Sequence, residues 1–203
     1  MTKKIFEISL CLLSWFALAL QLSLLKDSFF NFISYFTILS NFAVAVSLTA
    51  ALFLSNAFVG KYFSSVIVRA GIALNIFIVF LIYNTVLRGV WNPKGWQLVA
   101  DNLLHVAVPM FYMMYWFLYV PKGFLNWKSG IQWAYFPLAY LIYSLIRGHV
   151  VNWYPYPFLN VTQFGYSKVF INAGFVLIAF ALFGSVMIWI DGLKSQVKGE
   201  SNS

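Results

Sequence analysis

With 203 residues, of which 62% are hydrophobic, 21% aromatic and only 9% charged, the chain is far more apolar than a soluble domain, where roughly 25% of residues are charged. Apolar runs long enough to cross a bilayer consume nearly all of it, which excludes a sizeable soluble domain and reads as an all-α integral membrane protein. The formal net charge of +8 sits in short connections and at the chain ends, as the basic flanks of membrane spans do, and this argues for a lipid bilayer and against nucleic acid as the partner.

Met1–Lys4 is a short basic flank, and the first span follows over about residues 5–25. The run is longer than the apolar stretch of a signal peptide, and Lys26, Asp27 and phenylalanines follow it instead of a small-residue cleavage site. Its Cys11 is the only cysteine, so no intrachain disulfide is expected, and a small core residue is the natural reading. The second span, about 32–54, carries Ser34, Thr37 and Asn41, spaced three and four apart and therefore on one helix face. Such residues serve either as polar glue between helices or as the lining of a cavity. After the turn residues of SNAFVGKYFSS comes a third span over about 66–87.

The fourth span, about 97–119, carries Asp101, Asn102 and His105 in an otherwise apolar run. Spacings of three and four point all three roughly the same way, and charge at membrane depth is costly, so that face must look into the protein. Pro109 has no N–H to give to the carbonyl of His105, which predicts a kink or a water-lined pocket there. Pro121, Lys122 and Gly123 end the span, and Trp91, Trp96, Trp127 and Trp133 fall where an interfacial aromatic belt would put them. A short fifth span, about 133–149, ends on Arg147 and His149. The Pro- and aromatic-rich connection NWYPYPFLNVTQFGYSK reads as a re-entrant or interfacial loop, and its Asn160-Val161-Thr162 triplet is short enough to arise by chance. The sixth span covers about 169–190. Residues 1–191 thus form a single six-helix membrane bundle with both termini on one side, followed by a mobile polar tail over 192–203.

Of the Lys and Arg residues, Lys3, Lys4, Lys61, Arg69, Lys122, Lys128, Lys194 and Lys198 lie on the terminal side, which favours N-in, C-in and, in a bacterial cell, the plasma membrane. Whichever side is inside, Thr37, Asp101 and His105 lie early in spans two and four, while Asn84, Arg88, Arg147 and His149 lie late in spans three and five. All fall toward the face opposite the termini, Thr37 and His105 on the order of 10 Å below it at about 1.5 Å per residue. The opposite halves read as almost purely apolar. One-sided clustering of this kind suits a cavity opening to one leaflet.

A threonine hydroxyl becomes a nucleophile when a base takes its proton, and a histidine oriented by a carboxylate is the usual base. Thr37, His105 and Asp101 contain those three roles, with Asn41 in support and Arg147 or Asn102 available to steady an oxyanion or hold a substrate carboxylate. Spacing alone leaves open whether Asp101 reaches the ring nitrogen that faces away from Thr37. The chain has no Gly-x-Ser-x-Gly elbow, and two histidines on different helices without a Cys/His cluster fall short of a zinc site, so neither a metal nor another cofactor is expected.

SYFTILSN (Ser34–Asn41), LLHVAVP (Leu103–Pro109) and IRGHVVNWYPYPF (Ile146–Phe158), in that order, resemble the androgen-induced and androgen-dependent membrane hydrolases, and more closely their bacterial relatives, over nearly the whole chain. The resemblance implies a six-span protein that hydrolyses fatty acid esters of hydroxy fatty acids, or similar lipid esters, with an intramembrane threonine nucleophile matching Thr37 and a histidine matching His105. His149 falls in a position comparable to a histidine-containing stretch of that family. Ser34 stands where the animal members carry a basic residue, and the spacing from His105 to Pro109 differs by about one residue, which leaves the acyl specificity open. The rival reading from another class is a proton-coupled carrier or lipid-binding protein, in which Asp101, His105 and Arg147 form a relay or anion site and nothing is cleaved. A purely structural membrane protein is the third.

Overall fold

The computed structural model describes residues 2–90 and 92–200, with side chains through residue 193. Among the described residues the chain is all helix, without a strand. In order it forms α1 (Thr2–Ser23), the short α2 (Phe29–Phe32), α3 (Phe36–Phe53), α4 (Phe58–Ser64), α5 (Val66–Leu87), α6 (Trp96–Tyr119), α7 (Trp127–Val151), a single 3-10 turn (Pro157–Leu159) and α8 (Val161–Glu200). Five of these, α1, α3, α5, α6 and α8 over Val161–Leu193, are long and apolar enough to cross a membrane, which is compatible with an integral multi-pass protein. The fifth expected span lies inside α7, which has ample length at 25 residues but is not apolar enough to count with them.

α5 is the central helix. It packs on α3, α6, α7 and α8, and Ala70, Ala73, Leu74 and Ile76 are fully buried. Gly71 lets the Trp133 ring of α7 lie directly against the α5 backbone, since a Cβ there would meet the ring at 2.5 Å. The indole N–H donates to the Ile67 carbonyl at 2.9 Å, so the tryptophan packs and satisfies its one polar atom together. α1 packs on α3 and α6 at the side of this core.

Two helix starts differ from the expected spans. The second span was expected from residue 32, but the chain turns at Ile33–Tyr35 after α2, whose N-cap Ser28 accepts from the Phe30 N–H at 3.2 Å. α3 then begins at Phe36, which puts Thr37 in the first turn of a helix, where backbone N–H groups still lack intrahelical partners. The sixth span begins earlier than expected, at Val161, because Asn160 accepts the Gln163 N–H at 3.1 Å and acts as its cap. Gly165, at φ 72°, breaks the direction of α8 before its apolar body. The polar segment expected as a tail from residue 192 continues as helical backbone to Glu200, while residues 201–203 and Trp91 of the expected belt lie outside the described residues.

The half of the bundle away from Thr37 and His105 carries buried charges, where the sequence reads as almost purely apolar. Buried Tyr115 donates to Glu7 at 2.7 Å, and buried Arg69 donates through Nε to the Phe63 carbonyl at 3.2 Å and lies 5.8 Å from the Tyr115 ring. In the sequence Arg69 counts with the basic flanks of the expected spans, yet the fold turns it inward. Asp191 of α8 is also buried, 1% exposed, and accepts the N–H groups of Gly123, Phe124 and Leu125 at 2.9, 2.8 and 2.9 Å. One carboxylate oxygen thus holds the loop between α6 and α7, which Gly123 shapes at φ 94°. Asp191→Ala leaves three donors without an acceptor and is expected to cost about 2–4 kcal/mol. Thermal unfolding in detergent measures this; an unchanged midpoint would mean that the loop is held by other contacts.

Candidate functional site

Three local departures from the regular helix bring the site together. In α6, residues Leu103–Ala107 form a π turn in which the Val108 N–H reaches back to the Leu103 carbonyl. The widened turn, not a sharp kink, is how the helix accommodates Pro109. It also moves the vacancy. The Leu104 carbonyl now has no helical donor, because Val108 is engaged and residue 109 is a proline. Asn41, fully buried, fills it by donating to the Leu104 carbonyl at 3.0 Å and to the Thr37 carbonyl at 2.8 Å. That single amide ties the first turn of α3 to the widened turn of α6.

A second π turn, Tyr83–Leu87, ends α5 beside it. The Tyr83 ring stacks on the His105 ring, with centroids 4.1 Å apart and planes 15° from parallel, while its hydroxyl donates to one oxygen of the Asp101 carboxylate. The third departure is the late start of α3. Its first two N–H groups, of Phe36 and Thr37, donate to the phenol oxygens of Tyr140 at 3.2 Å and Tyr156 at 3.1 Å. Two tyrosines from elsewhere in the chain therefore cap the helix that carries Thr37, whose residue N-terminal to the helix, Tyr35, offers no side-chain cap.

Thr37 Oγ1 lies 3.3 Å from His105 Nε2 and 3.2 Å from Tyr156 Oη. On the far side of the ring, His105 Nδ1 is 2.9 Å from the Asp101 carbonyl oxygen and 3.3 Å from the nearer oxygen of its carboxylate. A carbonyl oxygen only accepts, so Nδ1 carries the proton and donates to it. In the neutral ring Nε2 is then a bare acceptor, aimed at the Thr37 hydroxyl. The carboxylate lies on the Nδ1 side, the nitrogen facing away from Thr37.

Two cavities meet at this point, and Thr37, His105, Tyr156 and Leu87 line both. One, of about 110 Å³, is almost entirely apolar and is bounded by residues such as Phe36, Ile78, Pro137, Leu141 and Phe180. The other, of about 500 Å³, is walled by Gln21, Tyr83, Gln97 and Asp101 and ends at exposed Lys26 and Asp27. The Asn31 side chain and the Ser28 N–H hold the Asp27 carboxyl below its ordinary range, so it is ionised at neutral pH.

Three of the expected site residues do not join this arrangement. Asn102 turns back on its own helix, donating to the Leu98 carbonyl at 2.9 Å, and lines neither cavity. The extra residue in the π turn follows Asn102, so the face it shares with His105 in a regular helix is lost. Arg147 donates to Asn31 at 2.6 Å and lies 4.8 Å from the Trp153 ring centroid, which engages it at α2 and away from Thr37. His149, in the last turn of α7, is exposed. Asn84 likewise bonds its own helix, at the Phe80 carbonyl. Tyr83 and Tyr156, which the sequence reading did not single out, take the places nearest the dyad. The signals for Tyr156 were its place in the Ile146–Phe158 stretch that carries the family resemblance and its position between Pro155 and Pro157, a rigid frame for one aromatic side chain.

Among the described residues no group of three or more His, Cys, Asp or Glu side chains is arranged to hold a metal ion. No protein-family model, curated protein or solved structure matches this chain. The class the fold defines is an all-helical protein with several helices of membrane-crossing length, and its chemistry is read from the site alone.

Proposed function

We propose that this protein is an intramembrane hydrolase of a lipid ester, a fatty acid ester of a hydroxy fatty acid or a similar molecule, with Thr37 as nucleophile and His105 as base. The observation that carries the reading is the Thr37 hydroxyl 3.3 Å from Nε2 of an imidazole whose other nitrogen is held by Asp101, at the junction of two cavities. The resemblance of Ser34–Asn41, Leu103–Pro109 and Ile146–Phe158 to the androgen-induced hydrolases agrees with it. α7 serves as the sixth span, which puts both termini on one side of the membrane, N-in and C-in by the distribution of Lys and Arg, the membrane being the plasma membrane if the cell is bacterial.

His105 Nε2 takes the Thr37 proton as Oγ1 attacks the ester carbonyl, and the carbonyl electrons move onto its oxygen. Collapse of that tetrahedral species expels the alcohol oxygen, which receives the proton from His105 and leaves an acyl-threonine. Water entering by the larger, more polar cavity gives a proton to His105 as its oxygen bonds to the acyl carbon, and collapse breaks the bond to Oγ1, which takes that proton back from His105 and releases the carboxylic acid. The net change is ester plus water to acid plus alcohol. The apolar cavity suits one hydrocarbon arm of the substrate and the larger cavity the other.

Purified protein that turns over a medium-chain ester faster than a matched Thr37→Ala preparation supports the proposal, and equal rates would end it. Asp101→Asn gives a finer test. In serine proteases the corresponding change costs about 10⁴-fold, because the histidine is left in the wrong tautomer. Here the Asp101 backbone carbonyl still fixes the proton on Nδ1, so only the carboxylate's stabilisation of the imidazolium is lost. The expected fall in kcat is about 10–100-fold, and a loss near 10⁴-fold would show that the carbonyl does not set the tautomer. The carrier reading is supported by the continuous chain of contacts from Tyr83 through Asp101, His105 and Thr37 to Tyr156. Uptake into proteoliposomes that follows a pH gradient and vanishes in His105→Ala would favour it.

A further inference from the structure

Resting on the hydrolase reading above, we infer that Tyr156 is a catalytic residue, the hydrogen-bond donor that stabilises the negative charge developing on the substrate's carbonyl oxygen. The residues that the sequence offered for this role, Asn102 and Arg147, are turned elsewhere, so the charge needs another donor. Tyr156 Oη sits 3.2 Å from Thr37 Oγ1, the atom that attacks.

The direction of that bond follows from its neighbours. The Thr37 N–H donates to Tyr156 Oη, so the phenol oxygen already acts as an acceptor there. The Thr37 hydroxyl proton is committed to His105 Nε2, the acceptor nitrogen 3.3 Å away. What remains between Oη and Oγ1 is the phenol proton, donated to the nucleophile. Once Oγ1 has bonded to the carbonyl carbon it is an ether-type oxygen of the tetrahedral species and a weaker acceptor than the neighbouring oxyanion. The charge then resides one bond beyond, on the former carbonyl oxygen. Rotation about the Cζ–Oη bond carries the phenol proton to it without moving the ring.

Two further features suit Tyr156 to the task. Its ring is fixed by stacking on Phe158, with centroids 5.3 Å apart, and by an edge contact with Tyr35 at 5.7 Å. Burial pushes its phenol up to about 12 against the pull of the Thr37 hydrogen bonds, so it keeps its proton throughout the neutral range. Ile38, next to the nucleophile and on the wall of the larger cavity, has its backbone N–H in the same first turn of α3, a second donor.

Tyr156→Phe keeps the ring contacts and removes only the hydroxyl. With purified full-length protein in detergent and p-nitrophenyl octanoate as substrate, kcat is expected to fall about 10²-fold while KM stays within about threefold. A kcat within about threefold of wild type, or a loss confined to KM, overturns the assignment. If Tyr156→Phe does not fold, fluorotyrosine at position 156 decides the matter, because it retains the ring and hydroxyl but is a stronger acid. A changed kcat at unchanged KM then supports the role, and an unchanged kcat overturns it. Wild-type protein without Thr37-dependent turnover removes the hydrolase reading and this inference with it, whereas Thr37-dependent turnover that Tyr156→Phe leaves intact removes only the inference.

Discussion

Thr37→Ala is expected to reduce turnover of a soluble ester by at least about 10³-fold, with Thr37→Ser retaining measurable activity. Alanine removes Oγ1 and with it the hydroxyl held against His105 Nε2. It leaves the backbone contacts that build the site, because Tyr156 caps the Thr37 N–H and Asn41 holds the Thr37 carbonyl, and neither involves the side chain. The variant should therefore fold and bind substrate while failing to cleave it. Rates normalised to folded protein, judged by size-exclusion elution and thermal unfolding, check this. Activity in Thr37→Ala at the wild-type level would mean that another group attacks.

His105→Ala is expected to lower kcat by about 10²–10⁴-fold, the usual worth of a positioned general base. The structure adds a sharper expectation. The ring lines the cavity of about 500 Å³ and stacks on Tyr83, so its removal leaves an open slot with Asp101 still bonded to the Tyr83 hydroxyl. Free imidazole should enter that slot, donate to the Asp101 carbonyl and restore part of the rate in proportion to its concentration. Titration of the variant with imidazole measures the effect. No restoration at any concentration, with Tyr83 and Asp101 intact, would argue that His105 does not act as the base.

The long apolar runs were legible because about twenty consecutive apolar residues have few other uses, and five of the expected spans lie on helices of membrane-crossing length. α7 was harder, since its polar residues make the same segment readable as a span or as a buried helix. Thr37, Asp101 and His105 stood out for one reason: a polar side chain is conspicuous only against an apolar background. The same logic missed Tyr83 and Tyr156, two of twelve tyrosines in a chain whose aromatics are also expected at the membrane interface.

Arg147 and His149 illustrate the converse. Both were grouped with the site on the strength of position along a helix, but position along the axis says nothing about azimuth, and the fold directs Arg147 to Asn31 and leaves His149 exposed. Asn102 failed for a subtler reason. The i to i+3 spacing to His105 holds only in a regular helix, and Pro109 induces a π turn between them. A proline four residues on signalled a disturbance at His105 without indicating that it would add a residue to the turn. The Glu7–Tyr115 and Arg69 contacts at the other end of the bundle were hidden because charges at the end of a span look alike whether they reach for headgroups or for each other.

The account depends on the Thr37 oxygen becoming covalently bonded to substrate. Labelling the detergent-solubilised protein with a fluorophosphonate and mapping the adduct by peptide mass spectrometry tests that most directly. The expected result is a single modification on Thr37, lost in Thr37→Ala and slowed in His105→Ala; a modification on any other residue, or labelling undiminished in Thr37→Ala, would contradict it.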